Sequence, residues 1–522
     1  MNKFKYIMYV AIIAVVASSC RKTLELTPED YFGDNNFWKN ESQVNNFMVG
    51  IHKQFRDNQF QFLRLGEMRG GSFSNVERQQ VSLFDLPVIE QRLEETSPGV
   101  NNWGGFYSNI LQINLFIQQV EAIEFLPTEK KDYFLGQAYA IRAYYYFHLL
   151  RTYGGVPLVL EPKVRETSDP VALRTPRSAE ADVLAAIKTD VNKAVTLFGT
   201  AASPADKSQW NPQAALMLKG EVYLWSAKVY NTTADLAEAK AALNAITGTA
   251  LQTNFADAFS YSKKNNPEII LAIRYISGEA EMGTNYSYFL YALPNFSNLH
   301  YKDSLGSGTP LVDPLNIGSA PAQIIQRYGY RFELFQSYDL ADKRRDATFY
   351  DYYKVDKTTT PASVQLRNTA LVKFLGTIDA AQKRLFADDW PIYREADRLL
   401  MLAEIVNAEG GDPSQYIKQI RDRAFAPAAD PTPFVNSSKD ANELAIFAER
   451  SKEFVYEGKR WYDLRRMKYG NDPLVFISSN HPYGVLDKAS QGYKILWPID
   501  VGVWTNDPTV DQTPGYQTSK PK

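Results

Sequence analysis

Residues 131–152 read KDYFLGQAYAIRAYYYFHLLRT, a run with clear helical periodicity. Apolar, small and aromatic side chains recur along one face at the spacing of an α-helix: Phe134, Ala138, Ile141, Tyr145 and His148. The pair Gly154-Gly155, followed by Val156-Pro157, is typical of a chain that leaves a helix. The sequence therefore predicts a long helix that ends near Thr152 and buries one broad face.

The same periodicity recurs in other parts of the chain. In 211–230, one face carries Ala214, Leu218, Val222 and Trp225. Further candidate helices are 42–56, 105–123, 178–196, 234–246, 391–409, 414–424 and 440–467. Small residues stand where pairs of these helices would cross, among them Ala138, Ala215, Gly220 and Ala403. This pattern resembles tetratricopeptide-type helix pairs, although no strict repeat period is present. We expect a mostly α fold built from such pairs.

The stretch 247–390 has a different composition. It is rich in Asn, Gly, Ser, Pro and Tyr, with short β-like runs such as 268–275. Long loops inside a helical scaffold are frequent places for recognition chemistry. We expect a single body over 37–522, with a helical scaffold at about 37–246 and 391–470. The loop-rich insert at about 247–390 would be on the ligand side, and 471–522 would be an irregular carboxyl-terminal segment.

The amino terminus has the layout of a secreted lipoprotein. Residues 1–20 read MNKFKYIMYVAIIAVVASSC, with Lys3 and Lys5 before a short apolar run and small residues before Cys20. Cys20 is the single cysteine of the chain, so it cannot form an internal disulfide. We predict a signal peptide at 1–19, lipidation at Cys20 and a polar tether at 20–36. An ordinary signal peptide followed by a chance cysteine is the alternative.

Charge and composition exclude some partners. The chain has 57 basic and 59 acidic residues, and no basic stripe that would favour nucleic acid. Removal of residues 1–19 would take away two lysines and leave a net charge of about −4. Such balance suits an uncharged or weakly charged ligand. The 32 tyrosines, 29 phenylalanines and 8 tryptophans can supply flat rings for sugars or peptides.

Motifs for catalysis or metal binding are missing from the sequence. The four histidines are far apart, and no HExxH, P-loop, G-x-S-x-G or calcium-loop pattern occurs. His148 lies on an otherwise apolar face, which favours a core histidine. The many carboxylates leave a glycosidase pair open, because that chemistry depends on spatial separation alone. We predict no catalytic residue, no metal and no cofactor.

Two groups of carboxylates are interpreted as structural. Glu449, Glu453 and Glu457 recur every four residues among arginines, which favours ion pairs along a helix. Asp397 and Glu404 share a face with apolar residues, so each needs a partner that offsets its desolvation. Arg421 and Arg423 on the following helix are the predicted partners.

Three blocks of sequence stand out along the chain: AIRAYYYFHLLRTYGGVPL at 140–158, PIYREADRLLMLAE at 391–404 with IRDRA at 420–424, and ERSKEFVYEGKRWYDLRR at 449–466. Together they resemble the SusD/RagB family of outer-membrane nutrient-binding lipoproteins. The ending LWPID at 496–500 and the residues up to Tyr516 are similar to the family's terminal segment. Each block alone is weakly specific, and their order along the chain strengthens the match.

The resemblance implies a function as well as a fold. It implies tetratricopeptide-like helix pairs packed against an irregular, loop-rich half with short strands. It also implies a surface-exposed lid, lipid-anchored in the outer membrane, on a SusC-like TonB-dependent barrel. The lid would capture an oligosaccharide or, in the RagB branch, peptides, without catalysis. The matching motifs are scaffold, so no ligand residue transfers by motif.

Ligand contacts are therefore predicted by region and chemistry. The first candidate loop is 64–80, with Arg69, Phe73, Asn75 and Arg78. The second is 283–301, with Tyr286, Tyr288, Tyr291, Phe296 and Tyr301. The alternative is that these rings pack the loops against the scaffold, and Trp103 is expected in the core. Two other functions stay open: a surface glycoside hydrolase, and a scaffold that binds only proteins.

Overall fold

The structure is a computed structural model that describes residues 37–73, 85–99, 103–167, 169–283, 286, 289, 327–356, 358–360, 363–477 and 486–516. The predictions for 1–36, including the signal peptide and Cys20, lie outside this described part of the chain. Most of the described residues are helical and the strands are short, which confirms the predicted fold class. Within the described residues, no helix is long and apolar enough to cross a bilayer.

The first half of the scaffold is a series of helices. They are α1 Glu41–Asp57, α2 Gln59–Glu67, α3 Asp85–Ile89, α4 Gly104–Ala122, α5 Thr128–Tyr153, α6 Glu180–Phe198, α7 Pro212–Val229 and α8 Asp235–Asn244. Consecutive helices pack as pairs, most extensively α5 with α6 and α7 with α8. The side chain of Asn211 caps α7 by accepting hydrogen bonds from two backbone N–H groups, and Pro212 follows at the first helical position.

Helix α5 is the one predicted from 131–152, and its whole predicted face is buried. It ends at Gly154, whose φ of 76° is a conformation that side-chain-bearing residues rarely adopt. A Cβ on the next residue, Gly155, would lie 2.2 Å from the carbonyl oxygen of Ser178. The two glycines therefore let the chain turn sharply under the start of α6.

The middle of the chain is a set of short hairpins and helices. They are β1 Ile269–Ile273, α9 Phe332–Gln336, α10 Lys343–Thr348, β2 Phe349–Asp356, β3 Ser363–Leu371, β4 Thr377–Ile378, β5 Arg384–Leu385 and β6 Trp390–Arg394. Each sheet has two antiparallel strands, and β1 pairs with β6 across more than a hundred residues of chain. The 391–394 part of a predicted helix is thus strand, because its backbone pairs with β1.

The second half of the scaffold follows directly. Its elements are α11 Glu395–Ala408, α12 Ser414–Phe425, α13 Lys439–Glu453, α14 Arg460–Arg466, β7 Lys468–Tyr469, β8 Asp472–Pro473, α15 Lys488–Gln491 and α16 Val501–Asn506. The helix predicted at 440–467 is divided into α13 and α14. The division occurs because Tyr456 and Gly458 have φ values of 64° and 68° in the turn between them. One hydrophobic core takes side chains from Trp38 through Val510.

A buried ion network joins this turn to the rest of the protein. The carboxylate of Glu453 lies 2.7 Å from Arg394 and 3.1 Å from Arg344, and also contacts Arg423. Arg394 lies 2.9 Å from Glu457, whose carboxylate also lies 2.5 Å from Lys373. Glu449, Glu453 and Glu457 are thus ion-paired, but the predicted pairing along one helix is wrong, because their cations come from distant segments.

The predicted partners of Glu404 are wrong. Glu404 pairs with Arg466 at 2.9 Å and Lys228 at 3.0 Å, because α11 packs against α7, which carries Lys228, and Arg466 reaches it from the end of α14. Asp397 pairs with Arg450 at 3.0 Å and Lys459 at 2.8 Å. Arg421 and Arg423 instead reach the carboxylates of Asp430, Glu449, Glu268 and Glu453.

Replacing Arg394 should strongly destabilise the protein. The Arg394→Met variant leaves Glu453 and Glu457 buried without their central cation, which should lower the free energy of unfolding by about 3–5 kcal/mol. The matched control is Lys418→Met, which removes an ion pair with Asp422 whose lysine side chain is 72% exposed. The control substitution should lower the free energy of unfolding by less than about 1 kcal/mol. Urea denaturation measures both, and equal losses would contradict the role of the network.

The protein should lose stability in acid as the carboxylate of Glu404 becomes protonated. Burial by itself would raise the pKa of Glu404, but Arg466 and Lys228 outweigh it and hold the pKa at about 2. A lowered pKa in the folded state stabilises the protein above the ordinary value of 4.5 and loses that effect as the pH falls toward about 2. In the Glu404→Gln variant, the free energy of unfolding should decline less steeply over this range. An unchanged slope in urea denaturation across the pH series would count against this account.

Candidate functional site

The structure gives Arg69 a structural position. Its guanidinium lies over the ring of Trp461, 4.1 Å from the centroid, and 5.4 Å from that of Trp497. Its Nε donates to Gln91 Oε1 at 2.7 Å, and the side chain also donates to the carbonyl of Lys494. Because Arg69 is completely buried, its assignment as a ligand contact is corrected: it fastens the carboxyl-terminal segment to the scaffold.

Phe73 and Tyr286 are also buried. Phe73 stacks on Tyr330 with 4.9 Å between ring centroids, and the same two residues form a β-bridge. The hydroxyl of Tyr286 donates to the carbonyl of Leu371 at 2.5 Å. For these two rings the structure corrects the ligand assignment and supports the alternative, in which they pack the loops against the scaffold.

The other six candidates lie outside the described residues. They are Asn75, Arg78, Tyr288, Tyr291, Phe296 and Tyr301. Their ligand contacts stay predictions. Trp103 and His148 are buried, as predicted; His148 lies 3.0 Å from the Tyr462 hydroxyl, and burial lowers its pKa well below the ordinary value.

Glu67 ties the base of the first candidate loop to the scaffold. Its carboxylate accepts from the Tyr330 hydroxyl at 2.7 Å and from the backbone N–H groups of Tyr456 and Gly458 at 2.9 Å each. Burial raises the pKa of Glu67, while these donors lower it. A Cβ on Gly66 would lie 1.8 Å from the Gly458 carbonyl oxygen, so only glycine permits this close approach. The loop base is therefore rigidly placed.

A groove with a volume of about 640 Å³ opens beside this loop base. One face of α13 forms its floor, with residues at helical spacing: Leu444, Phe447, Ala448, Ser451 and Lys452. Its walls come from Gly71-Ser72, from Arg331 with α9, and from the hairpin β7–β8 with the turn after it. The volume is in the range of small-ligand sites.

Tyr469 provides an accessible ring at the rim of the groove. Its side chain is 49% exposed and lies beside Leu444 and Ile477, which are each 42% exposed. The hairpin that carries it is anchored by the Gly470 N–H on Asp440 Oδ1 at 3.0 Å and the Lys468 N–H on Glu443 Oε1 at 3.1 Å. A fixed and exposed ring is suited to stacking on the apolar face of a sugar.

Tyr469 was missed in the sequence because it falls within the segment assigned to the scaffold. The signal that could have found it is the tripeptide Tyr469-Gly470-Asn471, in which a ring precedes residues that favour a tight turn. An aromatic residue directly before such a turn has little room to be covered.

Among the lining residues that the structure describes, the charged side chains are three cations and one carboxylate: Arg331, Lys452, Arg460 and Glu333. A pair of facing acids, which glycoside hydrolysis requires, is thus not present among the described lining residues. Over the described chain, no group of three or more histidine, cysteine, aspartate or glutamate side chains is arranged to hold a metal ion. The groove can bind and orient a ligand through planar donors and an exposed ring.

Comparisons with known proteins give a consistent result. The family model described as the SusD family matches residues 267–516, and the model described as starch-binding, associating with outer membrane, matches 22–224. A solved SusD superfamily protein from Bacteroides fragilis is 34% identical, covers 92% of this chain and 100% of its own, and superposes with a TM-score of 0.83.

Two further matches extend the comparison. A SusD-like protein from Formosa agariphila is 26% identical over 99% of this chain and 100% of its own length. A solved laminarin-binding SusD-like protein shares the fold, with a TM-score of 0.66, 20% identity, and coverage of 92% of this chain and 100% of its own. On this similarity over nearly its whole length, the chain belongs to the SusD family, whose members are associated with the outer membrane.

Proposed function

We propose that the protein is a cell-surface lipoprotein that captures an oligosaccharide and delivers it to a SusC-like TonB-dependent barrel. The observation that carries this proposal is the groove over α13, which is lined by the exposed ring of Tyr469 and by cationic side chains. Membership of the SusD family and a laminarin-binding structural neighbour support a glycan as the ligand. The lipid on Cys20 would keep the protein beside its barrel.

The groove also supports a binding role without catalysis. Glu333 is the one carboxylate among the described lining residues, and its side chain is largely exposed. Retaining and inverting glycosidases place two acids about 5–10 Å apart around the scissile bond. A glycoside hydrolase is therefore the less favoured function for this groove. An oligopeptide ligand in the same lid role is the alternative that the binding experiment must separate.

Replacing Tyr469 should weaken glycan binding without unfolding the protein. The Tyr469→Ala variant removes an exposed stacking surface, so affinity for the bound oligosaccharide should fall at least about tenfold, which corresponds to about 1.4 kcal/mol. Calorimetry with malto- and laminari-oligosaccharides, and with a pool of tryptic peptides, measures the change. The matched control is Phe125→Ala, since Phe125 is 46% exposed and lies outside the groove.

The outcomes of this binding experiment are distinct. If the protein binds peptides but no oligosaccharide, its proposed ligand is a peptide and not a glycan. Equal losses in the Tyr469 and Phe125 variants would place the site elsewhere. Binding of neither class, together with no barrel recovered when the membrane-extracted protein is purified by an affinity tag, would overturn the proposed function.

Replacing Cys20 should release the protein from the membrane. Cys20→Ala removes the only thiol that can carry the lipid, so an alkyne-tagged fatty acid should label the wild-type protein and not the variant. The variant should also leave the outer-membrane fraction for the soluble one. Retention of label and membrane fractionation in the variant would show that Cys20 is not the anchor.

A further inference from the structure

The groove over α13 has an apolar end and a cationic end. Tyr469, Leu444 and Ile477 expose ring and aliphatic surface at one end. The hairpin of Tyr469 is attached to Asp440 and Glu443 near the start of α13, whereas Lys452 lies near the end of that helix. Arg460 donates to Ser451 beside Lys452, and Arg331 enters the lining from the segment before α9. The arrangement resembles neither a purely apolar cleft nor an evenly charged surface.

Arg460 is held rigidly in the wall. Its Nε donates to the Gly70 carbonyl oxygen at 2.6 Å and its Nη1 donates to Ser451 Oγ at 2.5 Å. The guanidinium lies over the Phe447 ring, 4.9 Å from its centroid. Burial lowers the pKa of Arg460 to about 10, and the charge of Arg331 acts in the same direction. Arg460 therefore stays charged at neutral pH and fixes a positive potential in the groove.

Arg331 and Lys452 keep unused hydrogen-bond donors. The backbone N–H of Arg331 donates to the Ser72 carbonyl at 2.7 Å. Its guanidinium has one ion pair with a described residue, the largely exposed Glu333 at 3.4 Å. Within the described residues, Lys452 Nζ makes no hydrogen bond or salt bridge, and burial lowers its pKa. The nearest acid along α13, Glu449, is already shared between Arg344 and Arg421.

Other arginines of the scaffold show the opposite pattern. Arg142 pairs with Asp190 at 2.7 Å, and Arg466 pairs with Glu404 at 2.9 Å. Buried cations in this protein are thus generally given carboxylate partners, as the cost of desolvation demands. The described lining of the groove has three cations and one carboxylate, Glu333, which pairs with Arg331, in a chain whose net charge is −2. The local excess of positive charge therefore does not follow from overall composition.

We infer that the ligand of this groove is an acidic saccharide, with its anionic group at Arg331 and Lys452 and a sugar ring on Tyr469. This inference rests on the proposed function and narrows the class of its substrate. A carboxylate or sulfate ester supplies the charge-assisted acceptors that the two side chains lack. Partial exclusion of water by the groove walls strengthens such contacts, and the guanidinium plane suits two acceptor oxygens at once.

The test compares each acidic oligosaccharide with its neutral counterpart. The probes are galacturonic and glucuronic acid oligosaccharides, the same compounds with carboxylates reduced to alcohols, and sulfated galacto-oligosaccharides. Calorimetry with the full-length protein should show acidic members binding at least about tenfold more tightly than their reduced forms, with affinity that falls as NaCl rises. The uronate and sulfate arms identify which anion is recognised.

Two variants connect the preference to the groove. Lys452→Gln should reduce affinity for the acidic member about tenfold and affinity for the neutral member by much less, because only the acidic member loses a charge-assisted contact. The control Lys418→Gln changes an exposed lysine outside the groove. It should alter neither the affinity for the acidic member nor that for the neutral member. A thermal unfolding scan of each variant checks that the fold is retained.

The outcomes separate this inference from the proposed function. Equal or tighter binding of neutral members, or equal losses for both members in Lys452→Gln, would overturn the acidic ligand and leave the glycan-binding function in place. Failure of every acidic member to bind would also overturn it. The proposed function is overturned only if neutral oligosaccharides also fail to bind and no barrel is recovered with the protein.

Discussion

The contact between Arg394 and the carboxylates of Glu453 and Glu457 controls how the two halves of this protein meet. Arg394 ends strand β6, which pairs with β1 of the insert, while the two glutamates end α13 and form the turn after it. Burying such charges is costly, and only dense pairing offsets the cost. The turn is consequently held in one conformation. From that turn, backbone N–H groups of Tyr456 and Gly458 reach Glu67 and place the wall of the groove.

Periodicity in the sequence predicted the helices well, because a buried face leaves a local pattern of apolar residues. The predicted 105–123, 178–196 and 414–424 segments all became helices with ends displaced by two residues or fewer. Tertiary contacts were not predictable in the same way. Glu404 needed a cation, but its spacing from Arg421 and Arg423 could not show that Arg466 and Lys228 come nearer in space. The break between α13 and α14 was not predicted from Glu457-Gly458, because a glycine in the sequence does not show whether its backbone adopts the positive φ that ends a helix.

Residue type predicted the chemistry of the site better than its location. Phe73 and Tyr286 are rings in polar, glycine-containing sequence, which is compatible with a platform or with a cover over the core. Their burial depends on partners, Tyr330 and the Leu371 carbonyl, that are distant along the chain. Tyr469 belongs to a strand of only two residues, and its side chain stays 49% exposed among the residues that the structure describes. Overall neutrality likewise concealed a groove in which cations predominate.

The hydrogen bonds of Glu67 have a consequence for how the polypeptide becomes folded. Its carboxylate and the Gly458 N–H are 391 residues apart in the sequence. Until that late segment has been synthesised and brought back, the glutamate at the end of α2 lacks the two backbone donors of Tyr456 and Gly458 and keeps only the Tyr330 hydroxyl of its three described donors, so its burial would be more costly. The full donor set of Glu67 therefore exists only in a chain whose late segment has joined the amino-terminal helices.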